Sequence, residues 1–248
     1  MISRDTIIAL AAKLQTSETS VAREYCQHVF LRAFYQQKNA ALLCFKGGTA
    51  LRLVYKSPRF SEDLDFEHGR KTPHDFMKRD VTTIEDLLME TAVTIQKSNI
   101  SIDIKEAAST RGGYLTNVTF RLHERPIDIL TEFSLRSSQK TSGVLAIVTS
   151  DFFPNYTVIT LPQEQIIEGK LHALLSRKKP RDFFDLYYIL RANLLPVSQR
   201  GALKKVLALI PQKPEFFTRE LTEFLPSSFH GLLKDFPRLL AVEAERFL

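Results

Sequence analysis

Apolar positions recur along this chain with two different periods, and the change from one to the other divides it. Over residues 3–14 and 18–37 they fall at helical spacing. Tyr25, Val29, Leu31 and Phe34 mark the apolar set of the second segment, and Thr19 or Ser20 is placed to cap it. The run Ala41 to Phe45 predicts a short buried strand, and Ala50, Leu51, Leu53 and Val54 predict a helix over 49–55. A strand reaching residue 67, a polar loop over 68–73 and a long helix over 75–98 come next. The helix carries Phe76, Val81, Ile84, Leu87, Leu88, Val93 and Ile95 as its apolar set. Alternation then takes over. Residues 101–107 place Ile102 and Ile104 on one face, and 114–122 alternate less cleanly after Gly112-Gly113. Along 126–135, Ile127, Ile129 and Phe133 point one way and Asp128, Leu130, Glu132 and Ser134 the other. After a Ser/Gln/Lys/Thr-rich loop, an apolar run at 144–148 and a turn at Pro154-Asn155, residues 156–161 read as a last strand. Pro162 opens a helix where its missing N–H costs nothing, and the chain beyond it reads as helical to the end. The expected organisation is one domain over 1–160 and a helical one over 161–248, its tail broken by Pro211, Pro214, Pro226 and Pro237.

Composition narrows the class. The 248 residues are 44% hydrophobic and 25% charged, the profile of a soluble globular protein with ample core. A formal net charge of +6 and a pI of about 9.3 suit a polyanionic partner. Cys26 and Cys44 lack partners at metal-ligand spacing and read as buried thiols of a reducing compartment. The N-terminus lacks the long apolar core of a signal peptide, and no apolar run approaches the roughly 18 residues of a membrane span. The expectation is a cytoplasmic protein with no membrane partner.

The chemistry concentrates in one stretch, FKGGTALRLVYKSPRFSEDLDFE, from Phe45 to Glu67. A strand that turns through Gly47 and Gly48 into a helix at Thr49 exposes backbone N–H donors suited to phosphate. Asp63 and Asp65, two apart, project from one face of a strand. Adjacent carboxylates repel, and Mg²⁺, which takes oxygen ligands and binds phosphates, relieves that repulsion. Either half alone is a common turn or a solvated edge. Together, in this order and with thirteen residues between Thr49 and Asp63, they resemble the signature of the polymerase-beta-like nucleotidyltransferase superfamily. KGGTAL with RFSEDLDF is more narrowly similar to the AbiEii-type toxins, which include the MenT toxins of bacterial toxin–antitoxin systems.

That resemblance implies an α+β fold: a polymerase-beta-like core, a mixed sheet flanked by helices, followed by a helical C-terminal region. It implies an NTP substrate with Mg²⁺ or Mn²⁺ bound by Asp63 and Asp65, and Gly47, Gly48 and Thr49 on the triphosphate. Lys46 and Arg59 are further candidates for the phosphates. A third carboxylate is needed to bind the catalytic metal and help deprotonate the acceptor. The similarity of TEFSLR to the family's third motif favours Glu132, with Asp128, on the same face, as the alternative. Ser61, in the S-x-D of the motif, resembles a hydroxyl that some antitoxins phosphorylate.

A second constellation lies in KLHALLSRKKPRDFFDLYYIL, where Lys170 and Asp182 read most simply as a snorkelling lysine and a helix cap. The segment is also similar to the C-terminal motif of the AbiEii-type toxins. By that similarity Lys170 and an Asp, Asp185 first and Asp182 second, belong to the active site. The lysine would neutralise charge on a leaving group, and the Asp would orient it or accept a proton. Nine Lys and Arg against two acids between residues 170 and 205 suit a phosphate-tracking surface. The resemblance further implies the tRNA 3′ end as acceptor, a block of translation as the outcome, and a separate antitoxin as partner. Two other readings stay open: the same core acting on a protein or small molecule, and a binding module that keeps the fold without the chemistry.

Overall fold

The computed structural model describes residues 1–69, 77–110, 112–135 and 142–248, with the side chains of 77–80, 106, 107, 109 and 110 excepted. Phe76, the predicted helix start at 75, the loop from residue 70 and the polar loop over 136–141 lie outside the described residues. The chain forms two compact units. The first comprises Met1–Lys13, Ser17–Lys56 and Ser61–Pro162; the second comprises Leu14–Thr16, Ser57–Phe60 and Gln163–Leu248. The long division falls at Pro162, where the pattern turns wholly helical. Periodicity gave no sign that residues 57–60 would group with the C-terminal unit.

The first unit is a seven-stranded mixed sheet with helices. Its strands are β1 (Leu43–Lys46), β2 (Leu64–His68), β3 (Ser101–Thr110), β4 (Gly113–Leu122), β5 (Arg125–Ser134), β6 (Val144–Val148) and β7 (Tyr156–Thr160). They lie in the order β3-β4-β5-β2-β1-β7-β6. The β2–β5 and β1–β7 pairs are parallel and the others antiparallel. Helices α1 (Arg4–Leu14), α2 (Glu18–Phe34), α3 (Gly47–Leu53) and α4 (Met77–Gln96) complete it. Ser17, rather than Thr19 or Ser20, caps α2: its hydroxyl accepts the Ser20 N–H at 3.0 Å. The first strand starts at Leu43, later than expected, because Ala40–Leu42 wind into a 3₁₀ turn. His123 and Glu124 both adopt positive φ, 48° and 64°, which lets β4 turn directly into β5.

The core of this unit is aromatic. Phe66 of β2 stacks on Phe133 of β5 at 5.0 Å between ring centroids, and Phe34 of α2 meets Phe66 at 4.9 Å. Each of these rings is fully buried. Burial stabilises each by about 1.5–3 kcal/mol, and each aromatic pair by about 0.5–1.5 kcal/mol more. Along β5 burial alternates strictly from Ile127 to Phe133. A slip of one residue would bury Glu132 and expose Phe133, so the aromatic core fixes the register.

The second unit contains α5 (Gln163–Arg177), α6 (Pro180–Arg191), α7 (Leu203–Leu207), α8 (Pro214–Phe224) and α9 (Phe236–Glu245). Phe184 of α6, Phe217 of α8 and Phe236 of α9 pack in its interior, with Phe217 and Phe236 4.8 Å apart. Phe60 is tied to this unit by a main-chain bond from its N–H to the Phe224 carbonyl, 2.8 Å. Among the described residues no helix is long and apolar enough to cross a membrane.

Candidate active site

The two halves of the 45–67 stretch close on one another inside the first unit. β1 runs into α3 through Gly47, whose φ of +81° is a left-handed conformation that glycine adopts without strain. The absent side chain matters as much as the dihedral. A Cβ at Gly47 would overlap the Asp65 carboxylate, whose Oδ2 lies against the glycine. β1 and β2 are antiparallel neighbours that set Lys46 opposite Asp65, and the Lys46 amine bonds Glu67, on the same face, at 2.7 Å. Thr49, expected on the triphosphate, is fully buried and donates its hydroxyl to the Asp63 main-chain carbonyl. That hydroxyl is engaged within the fold and not offered to a phosphate.

The register of β2 and β5 sets Asp65 directly opposite Glu132. Neighbouring strands lie about 4.8 Å apart, and partners in register project from the same face. Asp128 sits four residues earlier, about 13 Å along the strand, and is engaged elsewhere. It accepts a hydrogen bond from the Thr119 hydroxyl and lies 3.8 Å from the Lys105 amine. Glu132, not Asp128, is therefore the β5 acid beside Asp65.

These carboxylates bear on the metal question. Among the described residues no group of three or more Asp, Glu, His or Cys side chains is gathered so that it could hold a metal ion. Mg²⁺ seldom uses an all-protein cage, since it keeps several waters and binds one or two carboxylates together with substrate phosphates. Asp65, in space left open by Gly47, with Glu132 opposite and Asp63 two residues upstream, offers the all-oxygen set that such an ion takes. Oxygen donors of this kind suit a hard divalent ion.

Residues around this stretch that the sequence did not single out hold it in place. Gln27 of α2 donates to the carbonyls of Ser61 and Glu62 at 3.0 and 3.1 Å. Glu24, one turn earlier, pairs with Arg52 of α3 at 2.6 Å. Their signal was faint: Glu24, Gln27 and His28 are polar residues in a helix whose other positions are nearly all buried.

In the second unit Asp185, 1% exposed, is held by two cations at once. Arg59 grips it with Nε and Nη2 at 2.7 and 3.0 Å, and the Lys170 amine lies 2.7 Å from its Oδ2. Burial by itself would push the Asp185 carboxyl up, but Arg59 and Lys170 outweigh it and hold the group at about 2. Arg59, expected to add charge to phosphates, is buried in this pair, so its guanidinium is committed within the unit. Asp182 is the third residue of α6, which begins at Pro180, earlier than expected. It accepts the Lys179 N–H at 3.1 Å and two-point contact from Arg177. That is the work of a helix-start clamp. The basic stretch is partly neutralised as well. Lys170, Arg177, Arg181 and Arg191, four of its nine cations, pair with Asp185, Asp182, Glu220 and Glu243.

Comparison with known proteins gives one family and one fold. The family model described as "Nucleotidyl transferase AbiEii toxin, Type IV TA system" matches residues 29–241. No curated protein matches the chain. Two crystal structures from Helicobacter pylori are similar in fold. One, of a candidate nucleotidyltransferase, has a TM-score of 0.61 at 22% identity and covers 93% of this chain and 95% of that one. The other, of JHP933, has a TM-score of 0.62 at 22% identity and covers 94% and 93% respectively.

Proposed function

The chain belongs to the AbiEii family of nucleotidyltransferase toxins of type IV toxin–antitoxin systems, and from that membership we propose that it transfers the NMP of an NTP to the 3′ end of tRNA and so blocks translation. The observation that carries this reading is the pairing of Asp65 with Glu132 beside Gly47. The main-chain N–H groups of Gly47, Gly48 and Thr49 bind the triphosphate, and Lys46 exchanges Glu67 for a phosphate oxygen. Asp63, Asp65 and Glu132, which are not gathered around one point in this structure, would hold Mg²⁺ or Mn²⁺ together with the phosphate oxygens of the bound nucleotide. A bound divalent ion supplies charge neutralisation and a lowered pKa for the acceptor hydroxyl. Glu132, exposed at the sheet surface, takes up the hydroxyl proton. The acceptor oxygen forms its bond to the α-phosphorus as the bond to the bridging oxygen breaks, and pyrophosphate leaves. Lys170 and Asp185 enter from the family motif. The lysine offsets charge on the departing pyrophosphate, and Asp185 orients the lysine rather than taking a proton, because two cations hold it ionised. The cognate antitoxin is a separate protein, and a phosphate on Ser61 would set about two negative charges close to Asp63 and oppose metal binding.

One observation favours a second reading. Four of the nine cations in the basic stretch are paired internally, which leaves less free charge for tracking an RNA backbone. A protein or small-molecule acceptor needs no such surface. Incubation with each α-labelled NTP, Mg²⁺ and total tRNA separates the two, with Asp65→Asn and EDTA as controls. Label on tRNA supports the first reading. Label on a protein or small molecule alone supports the second, and no transfer to any acceptor defeats both.

A further inference from the structure

We propose that Gln27 is a positioning residue of this site, which with Thr49 aims Asp63 by holding the main chain that carries it; the inference rests on the reading of Asp63 as a metal ligand. Residues 61–63 lie just ahead of β2 and belong to no strand. Their three carbonyls are taken in succession by two buried side chains. Gln27 Nε2 donates to Ser61 and Glu62, at 3.0 and 3.1 Å, and the Thr49 hydroxyl donates to Asp63. Gln27 is 1% exposed and Thr49 is fully buried. Arg23, one turn before Gln27 on the same helix face, adds a contact to the Glu62 carboxylate at 3.0 Å.

The residue type suits the task. A primary amide carries two N–H donors and no charge, so it serves two neighbouring carbonyls without importing an ion into the interior. Glutamate would set an acceptor against two acceptors, methionine would donate nothing, and asparagine is one methylene short. The same helix fixes the glycine half through Glu24 and Arg52, whose Nε–Oε2 distance is 2.6 Å. Helix α2 thus holds α3, which starts at Gly47, and the segment leading to Asp63 against one frame. Ligand-orienting groups behind a metal site are typically worth about 10- to 100-fold in affinity or rate.

Mn²⁺ binding tests this apart from turnover. Free Mn²⁺ is followed by electron paramagnetic resonance, with and without a non-hydrolysable NTP analogue, for wild type, Gln27→Met, Thr49→Val and Thr49→Ser, beside thermal melts. The expected result is Mn²⁺ affinity about 10- to 100-fold weaker in Gln27→Met and Thr49→Val, with a clearly smaller loss in Thr49→Ser than in Thr49→Val, because serine keeps the hydroxyl. In transfer assays kcat falls with the affinity, and KM for the NTP at saturating metal holds. Folded Gln27→Met and Thr49→Val with wild-type Mn²⁺ affinity and kcat would overturn the proposal and leave the site reading standing. Should Gln27→Met fail to fold, the contrast between Thr49→Val and Thr49→Ser decides. Wild type that neither binds Mn²⁺ nor transfers NMP defeats the site reading itself, and the positioning role with it.

Discussion

Asp65 of β2 and Glu132 of β5 stand opposite one another on adjacent parallel strands, and the next residues, Phe66 and Phe133, stack at 5.0 Å on the other face. One register therefore serves two purposes. The rings bury the core and cannot slip, and the acids ride on the same ladder. The aromatic pair is as much a part of the acidic site as the carboxylates it aligns.

If the register defines the site, acids on one strand differ sharply in importance. Asp65→Asn and Glu132→Gln are expected to lower NMP transfer by at least about 100-fold, the scale for losing a preorganised electrostatic group. Asp128→Asn, its partners being Thr119 and Lys105, is expected to change transfer by less than about twofold and stability by at most about 1 kcal/mol. Labelled-NTP assays on the three variants check this, and equal losses at Asp128 and Glu132 would contradict it.

Gly47 has two reasons to be glycine. Gly47→Ala meets a left-handed backbone penalty of about 1–2 kcal/mol and a direct overlap with the Asp65 carboxylate. The expected outcome is a lower melting temperature together with weaker Mn²⁺ binding. A variant that melts lower but binds Mn²⁺ as wild type does would show that Asp65 has room to move aside.

The Arg59–Asp185–Lys170 cluster predicts an ordered set of stabilities. Asp185→Ala strands two buried cations and is expected to cost about 3–5 kcal/mol. Lys170→Met leaves the bidentate Arg59 pair intact and should cost clearly less, while still lowering transfer. Urea unfolding, with hydrogen exchange resolved on α5 and α6, measures both. The pair also sets an acid limit. The Asp185 carboxyl is held at about 2 against 3.8 when free, so its contribution is complete above about pH 4 and is lost as pH falls towards 2.

His28 supplies a second pH dependence, in a different window. The imidazole is buried, bonds the Tyr156 hydroxyl at 2.7 Å, and is pushed down to about 3, first by burial and then by Lys56 and Arg52. Below its free value of 6.5 the unfolded chain takes a proton that the folded chain refuses. Stability should fall by up to about 1.4 kcal/mol per pH unit between 6.5 and 3 from this group alone. His28→Gln should flatten that slope. Urea midpoints at pH 7.5, 5.5 and 4.5 for both proteins provide the test, and parallel profiles would exclude His28 as the cause.

The sequence by itself determined the α+β class, the change to all-helical structure after Pro162, the glycine turn and the opposed faces of β5. Periodicity and glycine chemistry are local, so a single strand or turn already expresses them. The similarity of KGGTAL and RFSEDLDF to one toxin family was legible for the same reason, since the motif is contiguous. Tertiary structure decided what each residue is spent on. It chose Glu132 over Asp128 as the neighbour of Asp65, because strand register is a pairing between segments far apart in the chain. It set Arg59 and Asp182 in buried ion pairs and helix-start contacts, and it took the Thr49 hydroxyl for the Asp63 carbonyl. It also brought in Gln27, whose two amide hydrogens acquire a purpose only when a helix and a loop 34 residues onward are packed together.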